Sequence, residues 1–262
     1  MNILSALGFA RALARQPDAH KGQAGRVLLI GGAPSMAGAL LLAGQGALYG
    51  GAGYCLLMML DPSSAHVLQS QPELMVHDAA LWEPAHAIDT LRPDVLAIGP
   101  GLGRSAQALH WLCAALAWNG PLVIDADAIN LLADNARLLD ALKLRQHPTT
   151  LTPHPGEAGR LLACDAARVQ ADRPEAIQRL VAAWAMTSPV SGRAVRRSGG
   201  LRPLHPAPAA TSMCLTSPAP RWRARARGVG RRWGFCGSTI RTFWNSWVLN
   251  ARLGVGTIST CL

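Results

Sequence analysis

The stretch PDVLAIGPGLG, residues 93–103, decides the fold, because an apolar run of strand length ends there in a glycine-rich turn. The same order occurs elsewhere in the chain: RVLLI precedes Gly31, PLVI precedes Asp125, and TTL precedes Thr152. Short apolar runs that are each followed by a turn and a helix-like stretch are typical of βα units. The pattern therefore predicts an α/β fold with a mostly parallel sheet and helices on both faces.

The intervening residues extend this alternation. A further strand is expected at 54–60, and helices are expected from about Ala37 and at 105–118, 127–132, 157–163 and 174–184. Met36 to Leu60 contains no charged residue and is long enough to span a bilayer, which is an alternative for that region. Its six glycines and its β-prone end favour a buried helix, a turn and a central strand instead.

Charge divides the chain into two parts. Residues 1–186 hold all 15 acidic residues and 13 of the 25 basic ones, whereas residues 187–262 hold twelve Arg and no Lys, Asp or Glu. We expect an α/β body over 1–186 and a poorly ordered Arg-, Pro- and Trp-rich tail over 187–262. Arginine interleaved with tryptophan leaves nucleic-acid or membrane binding by the tail open as an alternative function.

The remaining composition indicates a cytoplasmic protein with reduced thiols. The six cysteines are scattered without a C-x-x-C pair, so neither a zinc site nor a disulfide framework is indicated. Arg11 and Arg15 interrupt the N-terminal apolar stretch, which argues against a signal peptide.

Four polar or glycine-rich clusters directly follow the apolar runs. Because the carboxyl ends of parallel strands meet at one edge of a sheet, the clusters should converge on one crevice. The expected lining residues are Gly31 and Gly32, then Gly99, Gly101 and Gly103, then Asp125, Asp127 and Asn130, and finally His154 and Glu157.

Each cluster has a functional and a structural interpretation. The glycines allow backbone to approach a phosphate or ribose, but G-x-G-x-x-G and the P-loop pattern are absent, and tight packing explains them as well. Asp125 and Asp127 could orient a hydroxyl or hold Mg²⁺ through water, although one of them is expected to cap the next helix. His154 lies between two prolines at a strand end, which favours a functional role.

Five motifs together resemble the ADP-dependent NAD(P)H-hydrate dehydratases, which have a ribokinase-like fold. They are HKGQAGRV at 20–27, GGAPSMAGA at 31–39, GPGLG at 99–103, DADAIN at 125–130 and LTPHPGE at 151–157. The resemblance covers about residues 19–184. It implies the repair of hydrated NADH and NADPH with ADP or ATP and Mg²⁺, in a protein that could be a homo-oligomer and that binds neither nucleic acid nor membrane.

The resemblance also implies roles for individual residues. Ala39, Gly103 and His154 would contact the hydrated dinucleotide. The carboxylates and Asn130 would line the crevice or position Mg²⁺, although no metal-ligand set is assigned from the sequence. A small-molecule kinase of the ribokinase superfamily is the alternative enzyme, because it shares the phosphorylating chemistry.

The family pattern stops after residue 184. The L-K-G and G-S-G-D motifs, which hold the nucleotide phosphates and supply the catalytic Asp in the family, do not occur in the residues that follow. The catalytic residue of this chain is therefore unknown, and the domain is expected to be incomplete at its C-terminus. The tail composition is typical of a GC-rich gene read out of frame, with the frameshift between about Met186 and Ser191.

Overall fold

Strands and helices alternate through the computed structural model, which describes residues 18–65, 71–185 and 211–213. The strands are β1 Arg26–Gly31, β2 Tyr54–Met59, β3 Leu74–Asp78, β4 Val95–Ile98, β5 Leu122–Ile124, β6 Thr149–Leu151 and β7 Thr211–Met213. The helices are α1 Ala37–Tyr49, α2 Pro62–Ala65, α3 Pro84–Leu91, α4 Ala106–Ala117, α5 Ala126–Ala133, α6 Ala136–Lys143, α7 Pro155–Leu161, α8 Ala166–Ala171 and α9 Arg173–Ala185.

All seven strands form one parallel sheet in the order β3-β2-β1-β4-β5-β6-β7. Strands β2 and β3 extend the sheet on one side of β1, and strands β4 to β7 extend it on the other side. The change of direction between β1 and β4 leaves a crevice beyond their carboxyl ends, where open parallel sheets bind ligands. The predicted α/β class with a parallel sheet is confirmed, and the carboxyl ends of β1, β4, β5 and β6 lie along one edge.

Helices cover both faces of the sheet, as predicted. Leu28 and Ile30 of β1 pack on one face in a large cluster that includes the fully buried Trp111 of α4. Val27 and Leu29 pack on the other face, against α1. Burial on both faces explains why these strands are continuous apolar runs rather than alternating ones.

The uncharged stretch at 36–60 is a helix, a turn and a strand, as favoured from the sequence. Helix α1 ends at Tyr49, Gly51 adopts a φ of 98°, and β2 begins at Tyr54. Among the described residues, no helix has the length and apolarity needed to cross a membrane.

Several elements were not predicted. Strand β3 lies at the sheet edge, where only Leu74 is buried, so it lacks the apolar run that identified the central strands. Helices α3, α6 and α8 were also missed. Each begins with a side-chain cap from Glu83, Asn135 or Asp165, which is the sequence feature that could have located them.

Little of the Arg-rich tail is described. Thr211–Met213 pairs with β6 as a three-residue strand. The expected frameshift boundary at 186–191 and the Arg- and Trp-rich segment at 221–233 lie outside the described residues.

Arg145 joins the end of α4 to the sheet. Its guanidinium donates hydrogen bonds of 2.6–3.1 Å to the carbonyl oxygens of Ala115, Leu116, Trp118 and Gly120. The last carbonyls of a helix have no partner within the helix, so this cation satisfies groups that would otherwise be unpaired. Burial lowers the pKa of Arg145 to about 10, which still leaves it charged at neutral pH.

We expect Arg145→Met to lower the free energy of unfolding by about 3 kcal/mol, because several carbonyls lose a charged donor at once. Chemical denaturation followed by circular dichroism measures the change. The matched control is Arg137→Met at an exposed position of α6, which should change the value by less than about 0.5 kcal/mol. Equal effects of the two substitutions would contradict the role assigned to Arg145.

Candidate functional site

The loops that follow β1 and β4 are in direct backbone contact. The N–H of Gly32 donates to the carbonyl oxygen of Pro100 at 3.1 Å, and the N–H of Ala33 donates to that of Gly101 at 2.7 Å. A Cβ atom at Gly31 would overlap the Pro100 carbonyl. Glycine at position 31 is therefore required by this close approach, and the first two predicted clusters form one surface.

The loop after β4 is joined in turn to the loop after β5. Gly99 adopts a φ of 132°, and a Cβ atom there would overlap the carbonyl oxygen of Asp125. The N–H of Gly103 donates to Oδ2 of Asp127 at 2.9 Å. The second and third clusters are thus held together by a steric fit and by a charge-assisted hydrogen bond.

Ala39 lies beside the same glycine-rich turn. It is exposed in the first turn of α1, and a Cβ atom built at Gly101 would lie 3.2 Å from the Ala39 methyl group. The turn can approach α1 this closely because Gly101 has no side chain and adopts a φ of 58°.

Thr152 joins the third cluster to the fourth. Its hydroxyl donates to Oδ1 of Asp125 at 2.6 Å, and its own side chain is buried. Burial raises the pKa of Asp125, while the hydrogen bond from Thr152 acts in the opposite direction. The sequence analysis did not assign this role to Thr152. The feature that could have indicated it is a hydroxyl residue at the end of β6, the strand beside the one that ends at Asp125.

His154 and Glu157 form a reciprocal cap at the start of α7. Nδ1 of His154 accepts from the N–H groups of Gly156 at 3.0 Å and Glu157 at 3.4 Å. Oε2 of Glu157 accepts from the N–H of His154 at 2.8 Å, and Oε1 lies 3.0 Å from Nε2 of the ring. Each residue thereby orients the other.

Glu157 is a buried acid with a raised pKa. Burial raises its pKa from 4.5 to about 7, the N–H of His154 opposes this increase, and the negative charges of Asp125 and Asp127 add to it. The carboxyl group is only 5% exposed, so water does little to solvate its charge. A carboxyl group that titrates near neutral pH in a crevice is a feature of functional sites.

The expected capping of α5 by one of the aspartates is wrong. Asp125 occupies the N-cap position but makes no capping hydrogen bond, and Asp127 accepts from Gly103 instead. Ala126, between them, has a φ of 47°, which is uncommon for a residue with a side chain. The two carboxylates therefore tie the strand-end loops to one another rather than the first turn of their own helix.

The described residues do not provide a ligand set for Mg²⁺. No group of three His, Cys, Asp or Glu among them could hold a metal ion. Asn130 is buried, and its Oδ1 atom is paired with Nη1 of Arg160, while Asp127 is engaged by Gly103. A closed protein cage for a metal is therefore not formed by the described residues, although Mg²⁺ held by one or two carboxylates with water and phosphate oxygens does not need one.

The structure brings the predicted residues to one edge of the sheet. Contacts run from Gly31 through Pro100 and Gly103 to Asp127, and from Asp125 through Thr152 to the cap at His154. The edge combines glycine-rich backbone, which a phosphate or ribose can approach closely, with buried carboxyl groups and one imidazole. Such an arrangement suits a polar ligand that carries a phosphate or a ribose.

Comparison with known proteins identifies relatives for this architecture. The family model described as NAD(P)H-hydrate dehydratase matches residues 27–194, which is more than half of the chain. The bifunctional NAD(P)H-hydrate repair enzyme of Escherichia coli K12 is 38% identical over 167 residues, which are 64% of this chain and 31% of that protein. The chain therefore spans about a third of the length of that curated relative.

Two further relatives match over a larger share of their own length. The ADP-dependent (S)-NAD(P)H-hydrate dehydratase of Neisseria meningitidis serogroup B is 35% identical, covering 72% of this chain and 64% of that one. The crystal structure of the ADP/ATP-dependent NAD(P)H-hydrate dehydratase of Bacillus subtilis, co-crystallized with ATP/Mg²⁺, has a TM-score of 0.55 and 27% identity. That match covers 67% of this chain and 62% of the Bacillus chain.

The buried acid yields a pH-dependent prediction. Between pH 4.5 and 7 the folded chain retains the Glu157 proton that the unfolded chain releases, so the stability contributed by this group decreases as pH rises toward 7. We expect Glu157→Gln to remove this slope, because an amide does not titrate. The single acceptor oxygen of Gln can serve only one of the two His154 donors, so the variant gains no overall stability from losing the charge.

Urea denaturation at a series of pH values measures the effect. Glu175→Gln, at an exposed position of α9, is the control and should preserve the slope of the wild-type chain. A Glu157→Gln variant with the wild-type pH profile would show that this carboxyl group is not the buried acid described.

Proposed function

The chain belongs to the NAD(P)H-hydrate dehydratase family, and on that premise we propose that its crevice binds hydrated NADH or NADPH. The reaction of the complete family site is then the ADP-dependent removal of water from the hydrated ring, which returns NADH or NADPH. This is a carbon–oxygen lyase reaction and a form of metabolite repair. A cytoplasmic location is part of the same proposal.

The observation that carries the proposal is the convergence of Ala39, Gly103 and His154 on one edge of the sheet. Ala39 borders the glycine-rich turn that ends at Gly103. Gly103 is connected to the third loop by its bond to Asp127, and His154 follows by two residues Thr152, whose hydroxyl donates to Asp125. The three residues therefore border connected strand-end loops, which supports assigning one dinucleotide to them.

The other residues of the crevice have supporting roles in this proposal. Gly31, Gly32, Gly99 and Gly101 let the backbone of the two loops approach the ligand, because no side chain intervenes. Asp125 and Asp127 hold the loops in register through Thr152 and Gly103. Asn130 and Glu157 orient Arg160 and His154, respectively.

ADP or ATP with Mg²⁺ is the proposed co-substrate of the family reaction. The Bacillus relative was co-crystallized with ATP/Mg²⁺, which supports this class of nucleotide. The described residues of this chain, however, do not include the L-K-G and G-S-G-D motifs, and they present no metal-ligand cluster. No chemical step is therefore assigned to nucleotide or metal in this chain.

This mismatch leads us to propose that the chain itself does not catalyse the reaction at a useful rate. The ring hydroxyl is a poor leaving group until it is phosphorylated. Without a base to activate the hydroxyl, and without donors around the transferred phosphoryl group, that step loses its main sources of acceleration. The boundary of the body near residue 186 is part of the same proposal.

We expect the chain to turn over hydrated NADH with ADP at least about 10⁴-fold more slowly than a version whose residues after 186 supply L-K-G and G-S-G-D. The estimate combines about 10² to 10³ per lost donor with about 10² to 10⁴ for the lost base. Recovery of the near-ultraviolet absorbance of NADH measures the rate.

The control is the restored version with the Asp of G-S-G-D replaced by Asn, which should lose only the contribution of the base, about 10² to 10⁴, and so remain faster than the present chain. A present chain that equals the restored version would mean that other residues carry the chemistry. A restored version that fails on hydrated NADH but phosphorylates a small alcohol would favour a kinase of the same fold.

A further inference from the structure

Both ring nitrogens of His154 are already engaged by its own helix. Nδ1 accepts from two backbone N–H groups, which requires that the ring proton be on Nε2. Nε2 in turn lies 3.0 Å from Oε1 of Glu157, a buried carboxyl group that also accepts from the His154 backbone. Neither nitrogen is therefore free to bind a ligand without breaking a contact inside the cap.

The ring is nevertheless partly exposed. The His154 side chain is 58% exposed, although its partner Glu157 is almost fully buried. The edge of the ring that carries Nδ1 and Cε1 faces the helix, because a Cβ atom at Gly156 would lie 2.8 Å from Cε1. Because Nδ1, Cε1 and Nε2 are turned toward the cap, the faces of the imidazole and its Cδ2 edge are the parts left for contact with a ligand.

The ring borders the proposed dinucleotide crevice. His154 lies two residues after Thr152, whose hydroxyl donates to Asp125 at the end of β5. An exposed, immobilised and planar ring at the border of a crevice is suited to stacking against another planar ring. Stacking of a base on a protein ring is tolerant of base identity, because every base has a π-face.

We propose that His154 contacts the bound dinucleotide through the face of its imidazole, against a planar heteroaromatic ring of the ligand, and that Glu157 is the residue that positions it. This inference rests on the proposed function, since it takes the crevice to be the dinucleotide site. It assigns no proton transfer to His154. The ring that stacks is either the adenine or the dihydronicotinamide of the ligand.

Two substitutions separate the ring face from the ring nitrogens. Asparagine at an N-cap position accepts from the same backbone N–H groups but has no ring. Phenylalanine keeps a planar face but cannot accept from those groups or pair with Glu157. We therefore expect the His154→Asn variant to have a higher free energy of unfolding than the His154→Phe variant. We also expect His154→Asn to bind NADH more weakly than His154→Phe.

The measurement is the dissociation constant of the full chain for NADH, by titration calorimetry, with circular dichroism as the check of folding. His154→Asn should bind at least about fivefold more weakly than the wild-type chain, which is the lower end of a stacking contribution. Because the expected orders of stability and affinity are opposite, general loosening of the fold cannot produce the result. Asparagine binding as tightly as phenylalanine or the wild type would overturn the proposal.

ADP-ribose, which carries adenine without nicotinamide, identifies the stacked ring. Equal weakening for ADP-ribose and NADH in His154→Asn would assign the contact to adenine, and weakening for NADH alone would assign it to dihydronicotinamide. A wild-type chain that binds neither ligand would contradict the proposed function and the inference with it. Failure of the inference alone would give a different result: the wild-type chain would bind NADH, but His154→Asn would bind it as tightly as His154→Phe or more tightly.

Imidazole nitrogen spectra of the wild-type chain provide a readout that does not depend on the folding of His154→Phe. The His154 signal is identified by its loss in His154→Asn. We expect its Nδ1 to remain unprotonated after NADH is added, while the ring protons shift in the field of the stacked base. A change of tautomer or of ring protonation on binding would show that a nitrogen makes the contact and would overturn the proposal.

Discussion

Close backbone contact between neighbouring strand-end loops is the constraint on which the candidate site depends. Gly31 lies against the Pro100 carbonyl and Gly99 against the Asp125 carbonyl, each without room for a Cβ atom. Because the loops touch in this way, the N–H of Gly103 can donate a hydrogen bond to Asp127, and the hydroxyl of Thr152 can donate one to Asp125. A methyl group at either glycine would separate the loops by more than a hydrogen bond tolerates.

The sequence was most informative where burial and function impose the same pattern. Strands β1, β4 and β5 were recognisable because residues such as Leu96 and Val123 are buried, which turns each strand into an unbroken apolar run. Edge strand β3 shows no such run. The convergence of the clusters followed from the parallel arrangement alone, since carboxyl ends of parallel strands share an edge.

What could not be predicted depends on contacts between distant residues. Arg145 meets carbonyl groups 25 to 30 residues away, and no local pattern indicates which groups those are. The capping role expected of an aspartate was wrong for a similar reason, because the bond from Gly103 to Asp127 competes with a local cap. Rules based on neighbouring residues fail where the side chain instead contacts a residue that is distant in sequence, as happens in functional sites.

The contacts that build the crevice differ in sequence separation: Gly103 and Asp127 are 24 positions apart and Asp125 and Thr152 are 27 apart, whereas Gly32 and Pro100 are 68 apart. The two shorter separations span one strand and one or two helices, and the cost of closing the longer loop rises only slowly with its length. Every one of these contacts joins residues that precede residue 162, the position after the end of α7. A chain that emerges from the ribosome therefore holds all the partners of this edge before its last hundred residues are made.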